Sequence, residues 1–304
     1  LKEKIKLGFN IFLYLSFAFV AWFLYKQDYL VIPSNFDWGW MSASLLALWI
    51  GFICNAIQWV PLLRSQGMTI SYSDSIRTFG MSVFGKYIPG KVWVHLGKSA
   101  QIAEAYGYSI LKVSEVSFFS QIITLWVGVL AGLGLLFYMD KIDLLFWSLL
   151  GAFILFSVLI TTQSIQKIAK WFIKLILKRE FRFSSLPPLE LIKILPLYFL
   201  SIIAYSVGFL FLAKSLGAVG LAAYAMFIFP LAMTIGVIAI IVPGGLGVRE
   251  VIIASLLGDL YVSQELANSI SISSRLWFLL GETFIFLLGL WFHRKWKKNL
   301  RPTS

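Results

Sequence analysis

Apolar residues are grouped along this chain in long blocks: Ile5–Tyr25, Met41–Leu63, Val116–Tyr138, Leu144–Thr162, Leu191–Ala213 and Ala267–Phe292. Each approaches the ~20 residues that a helix needs to cross a ~30 Å hydrocarbon core. The pattern predicts six crossing helices. Val219–Val242 is a seventh apolar run, and the Ile76–Tyr87 region is a shorter one, interrupted by Arg77, Gly80, Gly85 and Lys86.

Two breaks punctuate the pattern. The seventh run ends in IVPGGLGVRE (Ile241–Glu250), and the short one ends in YIPGKVW (Tyr87–Trp93). Proline cannot continue the helical hydrogen-bond ladder, and glycine lets the backbone turn or approach a neighbour closely. Irregular backbone at membrane depth is tolerated where it packs in protein or lines a cavity.

The polar positions decide how the blocks thread. Lys2, Lys4 and Lys6 place the N-terminus inside, and the loop with Asp28 and Asp37 falls outside. The basic Arg64–Lys112 region is inside, and Asp140–Lys141–Asp143 is outside. The connector from Gln163 to Glu190, read as an amphipathic helix on the anionic leaflet, returns inside, and so does the basic tail from His293 to Arg301. Seven crossings would leave that tail outside. Parity is restored if Val219 to about Leu260 enters from outside and returns there, and Ser71 to about Tyr106 does the same from inside. The expected fold is an all-α polytopic membrane protein with six crossings and two oppositely oriented re-entrant hairpins. Seven or eight full crossings are the alternative.

An internal repeat follows from this threading. Pro89-Gly90 and Pro243-Gly244 are offset by 243 − 89 = 154, which also places Ser109 on Ser263, Ser117 on Ser271 and Ser120 on Ser274. The expectation is a single membrane domain built of inverted repeats, 1–140 and 141–304, a transporter signature when paired with broken helices.

Composition narrows the function classes. With 59% hydrophobic and 13% charged residues, a soluble reading fails, and the net charge of +12 is assigned to cytoplasmic loops rather than to nucleic acid. One cysteine, Cys54, and two histidines, His95 and His293, leave no disulfide framework and no metal cluster. A P-loop, GxSxG, HExxH and an aspartate-rich magnesium motif are all missing from the sequence, so no cofactor and no catalytic residue is expected.

The candidate chemistry lies at the breaks. A helix that begins after a break presents N–H groups and a positive dipole end, which suits a phosphate. Pro89, Gly90 and Lys91, with His95 and Lys98 following on one helical face, form the first candidate site, and Lys86 lies just before it. Gly244, Gly245, Gly247 and Arg249 form the second. Glu250, Arg275 and Glu282 are candidates for gating or proton coupling. Arg275 and Glu282 are seven residues apart and share a face, so Arg249–Glu282 or Glu250–Arg275 pairing is the structural alternative. Asn55, Gln58 and Gln121 are read as interhelical hydrogen-bonding groups.

GKYIPGKVW together with VPGGLGVRE resembles the flippase-like membrane family that includes the transmembrane region of lysylphosphatidylglycerol synthases (multiple peptide resistance factors) and small stand-alone relatives. The resemblance spans essentially the whole chain. It implies a domain that moves or presents lipid headgroups, aminoacylated phospholipids in the fused synthases, and polyprenyl-linked substrates in relatives found with glycan assembly. The chain starts at leucine, so a missing native N-terminus is expected. It stops after the last span, so lysyl transfer by this chain alone is not expected.

The sequence reading is therefore a lipid transporter in a bacterial or archaeal plasma membrane, with both termini cytoplasmic. It would flip a phospholipid or polyprenyl phosphate. The alternative is a non-transporting membrane partner or enzyme of glycolipid assembly that binds a polyprenyl phosphate, alongside a glycosyltransferase or lipid synthase. The lipid, the direction and the oligomeric state are left open.

Overall fold

The computed structural model describes residues 36–87, 92–161, 188–239, 245 and 247–300. The Ile5–Tyr25 span and nearly all of the Gln163–Glu190 connector lie outside the described residues. So do Pro89, Gly90, Lys91, Pro243 and Gly244.

The chain is an all-α membrane protein, with no strand among the described residues. Five helices are long and apolar enough to cross a membrane, and they fall on five of the six expected crossings. They are α1 (Trp38–Ile57, continued by the short α2, Val60–Ser65), α5 (Ile110–Tyr138), α6 (Leu144–Thr161), α7 (Pro188–Ser215) and α10 (Gln264–Leu300). The expected single helix Met41–Leu63 is interrupted at Gln58–Trp59. The cause is Pro61, which has no N–H to donate to the carbonyl of Ile57 and crowds it. Asp37 starts α1 by accepting the backbone N–H groups of Gly39 and Trp40 at 2.7 and 3.1 Å. At the other end of the chain, α10 runs through the basic HRKWKK stretch as continuous helix.

The remaining helices are short. α3 (Tyr72–Ser82, 11 residues) and α4 (Trp93–Tyr106, 14 residues) flank the first break. α8 (Ile228–Ile238, 11 residues) and α9 (Val248–Asp259, 12 residues) flank the second. At 1.5 Å per residue each covers about 16–21 Å, well short of a bilayer core. A 3₁₀ turn adjoins each pair: Val83–Tyr87 follows α3, and Ala223–Phe227 precedes α8. Within each pair the two helices pack on each other. The Val219–Val242 run is thus not one helix of crossing length.

The packing partners of the two halves correspond. α5 and α10 start at Ile110 and Gln264, 154 residues apart (264 − 110), and the starts of α3 and α4 map within two residues onto those of α8 and α9. α3 packs on α10 while α8 packs on α5; α4 packs on α5 while α9 packs on α10; α1 meets α10 while α7 meets α5. α1 and α7, themselves corresponding elements, form the most extensive interface.

Close approach is what seats the short helices. A Cβ on Gly80 of α3 would lie 2.3 Å from the backbone oxygen of Ile285, and one on Gly289 would lie 3.0 Å from the Cα of Gly80. Backbone meets backbone at that crossing, as small residues allow inside membranes. The corresponding crossing uses Gly128 and Gly132 of α5 against Thr234 and Leu231 of α8. The core beneath these crossings is aromatic: Phe52, Phe209, Phe229, Trp277 and Phe278 are buried together. α6 stands apart with only Leu149 buried, and stacks Phe153 on Trp126 of α5 at 5.3 Å.

Candidate functional site: a cationic cavity between the two short-helix pairs

A cavity of about 530 Å³ opens between α1, α5, α7, α10 and both short-helix pairs, within the usual range for ligand pockets. Its wall is largely apolar, with Phe52, Phe79, Phe118, Phe229 and Phe278 contributing rings. Lys86, His95, Lys98 and Arg249 bring the charge and basicity, and Asn55, Gln58, Ser117 and Gln121 add neutral polar groups. No aspartate or glutamate lines it among the described residues.

Arg249 enters from the second residue of α9. Gly247, its N-cap at φ +81°, permits the turn that starts this helix. Gly245, at φ +70°, lies against Gly236 of α8, where a Cβ would come within 3.1 Å of the Gly236 Cα and oxygen. Gly236 in turn leaves room for the Arg249 stem, whose Cγ lies 2.7 Å from where a Cβ would stand. These glycines let the arginine pass between two packed backbones. Its guanidinium carbon sits 5.3 and 5.2 Å from the ring centroids of Phe229 and Phe278. The residue is 7% exposed, and its Nε and Nη2 are buried with no hydrogen-bond partner among the described residues.

His95 stands at the position that the 154-residue offset assigns to Arg249 (249 − 95), and it too lines the cavity. Its Nδ1 is 2.9 Å from the Ser117 hydroxyl, which ties α4 to α5. The matching serine, Ser271 of α10, donates to the backbone carbonyl of Glu250 at 2.8 Å and ties α9 to α10. Lys98 follows His95 on the same face of α4. It is buried, with Nζ 4.0 Å from the centre of the Trp59 ring and no carboxylate partner among the described residues. Neither α4 nor α9 has a side-chain N-cap.

The acidic candidates are engaged elsewhere. Glu250 accepts from Arg275 Nη1 at 3.0 Å and holds α9 on α10. Glu282 is fully buried and forms an ion pair with Lys86, while Tyr87 donates to its second oxygen at 2.8 Å. The structure therefore brings Glu250 and Arg275 together, and pairs Glu282 with Lys86 of the first half rather than with Arg249. Of the glycine candidates, Gly245 and Gly247 shape the approach to Arg249, while Gly244, Pro89, Gly90 and Lys91 are outside the described residues.

The Lys86–Glu282 link spans 196 residues, which is why sequence spacing did not reveal it. Phe278 was also missed, although the spacing that puts Arg275 and Glu282 on one face includes it. Asn55 and Gln58 line the cavity, and Gln58 is held by Thr124 and Ser201, both at 3.0 Å.

The family model for the lysylphosphatidylglycerol synthase transmembrane region matches residues 8–292. The chain belongs to that family. A search among curated proteins returns no relative. The match runs through both short-helix pairs and all the cavity-lining cations, so the site lies wholly within the family's domain.

Burial makes the Lys86–Glu282 pair testable. Removing one partner of a buried ion pair leaves an uncompensated charge and costs about 3–5 kcal/mol, whereas neutralising both is far milder. Lys86→Met or Glu282→Gln alone is expected to lower the detergent-solubilised melting temperature sharply, and the double variant to recover most of the loss. Additive losses in the double variant would show that the pair is not coupled.

Proposed function

We propose that this chain translocates a phosphate-bearing lipid, a phospholipid or a polyprenyl phosphate, between the leaflets of a bacterial or archaeal plasma membrane. The observation that carries this reading is Arg249, a buried guanidinium with two unpartnered nitrogens, in a cavity whose wall is otherwise mostly ring and aliphatic carbon. Family membership supports a lipid-related role. An arginine fork grips phosphate at two points, and a low-dielectric wall strengthens that grip.

In this proposal the headgroup enters the cavity while the acyl or prenyl chains stay in the bilayer. The α3–α4 and α8–α9 pairs act as re-entrant hairpins of opposite sense, the centres of two inverted repeats, so one cavity can be approached from either leaflet in turn. Glu282 and Glu250 hold Lys86 and Arg275 in the resting arrangement and exchange them as the hairpins move. The chain acts as a transporter and carries out no bond-breaking chemistry. Both termini are cytoplasmic in this threading.

The hairpin topology is tested by single cysteines in a Cys54→Ala background. Val219→Cys and Ser263→Cys are expected to react with an impermeant maleimide from one membrane face, and Ser73→Cys and Glu104→Cys from the other. Labelling of Val219→Cys and Ser263→Cys from opposite faces would replace the hairpin by a crossing.

Translocation is tested with purified protein in vesicles carrying fluorescent or radiolabelled phospholipid and polyprenyl phosphate. One charge-assisted contact is worth about 1.5–3 kcal/mol, so Arg249→Ala is expected to slow translocation by about tenfold or more. Equal rates for wild type and Arg249→Ala would remove the site. Binding of polyprenyl phosphate without movement would favour a non-transporting partner of glycolipid assembly.

A further inference from the structure

The charge around the cavity says more about its ligand than its volume does. Lys86, Lys98 and Arg249 line it, and Glu282 cancels Lys86, so three cations less one carboxylate leave two positive charges. Glu250 and Arg275 cancel each other outside the lining. Lys98 and Arg249 are 5% and 7% exposed, and neither meets a carboxylate among the described residues. Buried ions at membrane depth are costly unless paired, and aromatic faces at 4–5 Å recover only part of that cost. The cavity therefore favours a ligand that brings negative charge. Among the described residues it has no acidic side chain to receive a cationic one.

Building on the lipid-translocation reading above, we propose that the cavity selects lipids ending in a phosphate monoester over those ending in a phosphate diester, and excludes lipids carrying a cationic aminoacyl headgroup. A phosphate monoester carries about −1.5 to −2 charge near pH 7 and three exposed oxygens, matching two uncompensated cations. One oxygen edge faces the Arg249 Nε and Nη2, which are buried without partners among the described residues. Lys98 supplies the second charge from the opposite short-helix pair. A phosphate diester brings a single charge and leaves one cation bare. A lysyl ester of phosphatidylglycerol carries two ammonium groups and sets like charge against Lys98 and Arg249. The ring and aliphatic wall suits a lipid rather than a free sugar or glycerol phosphate.

The test measures binding and translocation separately, with the full chain in phosphatidylcholine nanodiscs and vesicles. Probes are phosphatidic acid, phosphatidylglycerol, lysyl-phosphatidylglycerol and soluble glycerol 3-phosphate. Phosphatidic acid is expected to bind at least tenfold more tightly than phosphatidylglycerol, with lysyl-phosphatidylglycerol weakest. Lys98→Gln and Arg249→Gln should each reduce that preference severalfold, and Arg249→Lys, which keeps the charge, should retain most of it even if the neutral variant folds poorly. Equal binding of the monoester and diester lipids, tight binding of lysyl-phosphatidylglycerol, or no binding of any lipid would overturn the proposal. So would a preference that survives both neutral variants, and glycerol 3-phosphate binding as tightly as phosphatidic acid would overturn its lipid part. Phosphatidic acid bound with this preference but never moved would sink translocation and leave the charge selection standing. Lysyl-phosphatidylglycerol moved as fast as phosphatidic acid would do the reverse.

Discussion

Charge inside a low-dielectric core has to be answered by charge, and most of this structure is arranged around that constraint. Glu282 is fully buried on α10 and is answered by Lys86 and Tyr87, which lie in the 3₁₀ turn just before the first break. Glu250 is answered by Arg275 on the helix that α9 packs against. These two links join the broken segments to α10, while Ser117 and Ser271 repeat a smaller polar tie in each half. Arg249 and Lys98 are left without a carboxylate among the described residues. Arg249 is buried against Phe229 and Phe278 with two of its nitrogens unpartnered there, a structural liability that the proposed ligand would relieve.

The short helices make that arrangement possible because they end inside the protein. A full-length span would carry Arg249 and Lys86 past one another on separate helices. Two pairs of half-length helices bring their ends to one cavity. The backbone contact at Gly80–Gly289 and the seating of the Thr234 side chain against Gly128 set how deep each pair sits. A side chain at Gly80, Gly128 or Gly289 would push the pairs outward.

Much of this was legible in the sequence, and the reasons are local. Apolar block length located five described spans, because crossing a bilayer imposes a length on any helix. Ser71 and Tyr106 were named as the ends of the first hairpin, and α3 starts at Tyr72 and α4 ends at Tyr106, where Gly107 at φ +72° closes the helix. Of the serines matched by the 154-residue offset, Ser117 and Ser271 each tie a short helix to the long helix beside it, Ser117 through the His95 ring and Ser271 through the Glu250 carbonyl. What could not be read were pairings between distant segments. Of the two pairings weighed, Glu250–Arg275 forms, and Lys86 rather than Arg249 takes Glu282. Nothing in spacing along one helix reports a partner 196 residues away. The break at Gln58–Trp59 was also missed, although Pro61 announces it once its effect on the Ile57 carbonyl is considered.

The account stands on Arg249 and Lys98 serving one anionic headgroup from opposite short-helix pairs. The most direct measurement is an electron cryo-microscopy structure of the protein in nanodiscs containing phosphatidic acid. The account predicts phosphate density within hydrogen-bonding distance of the Arg249 guanidinium and on the Lys98 side of the cavity, with Lys86 still on Glu282 or turned toward the phosphate. A lipid-containing structure in which Arg249 pairs with a carboxylate of this chain, and the cavity holds only hydrocarbon, would contradict it.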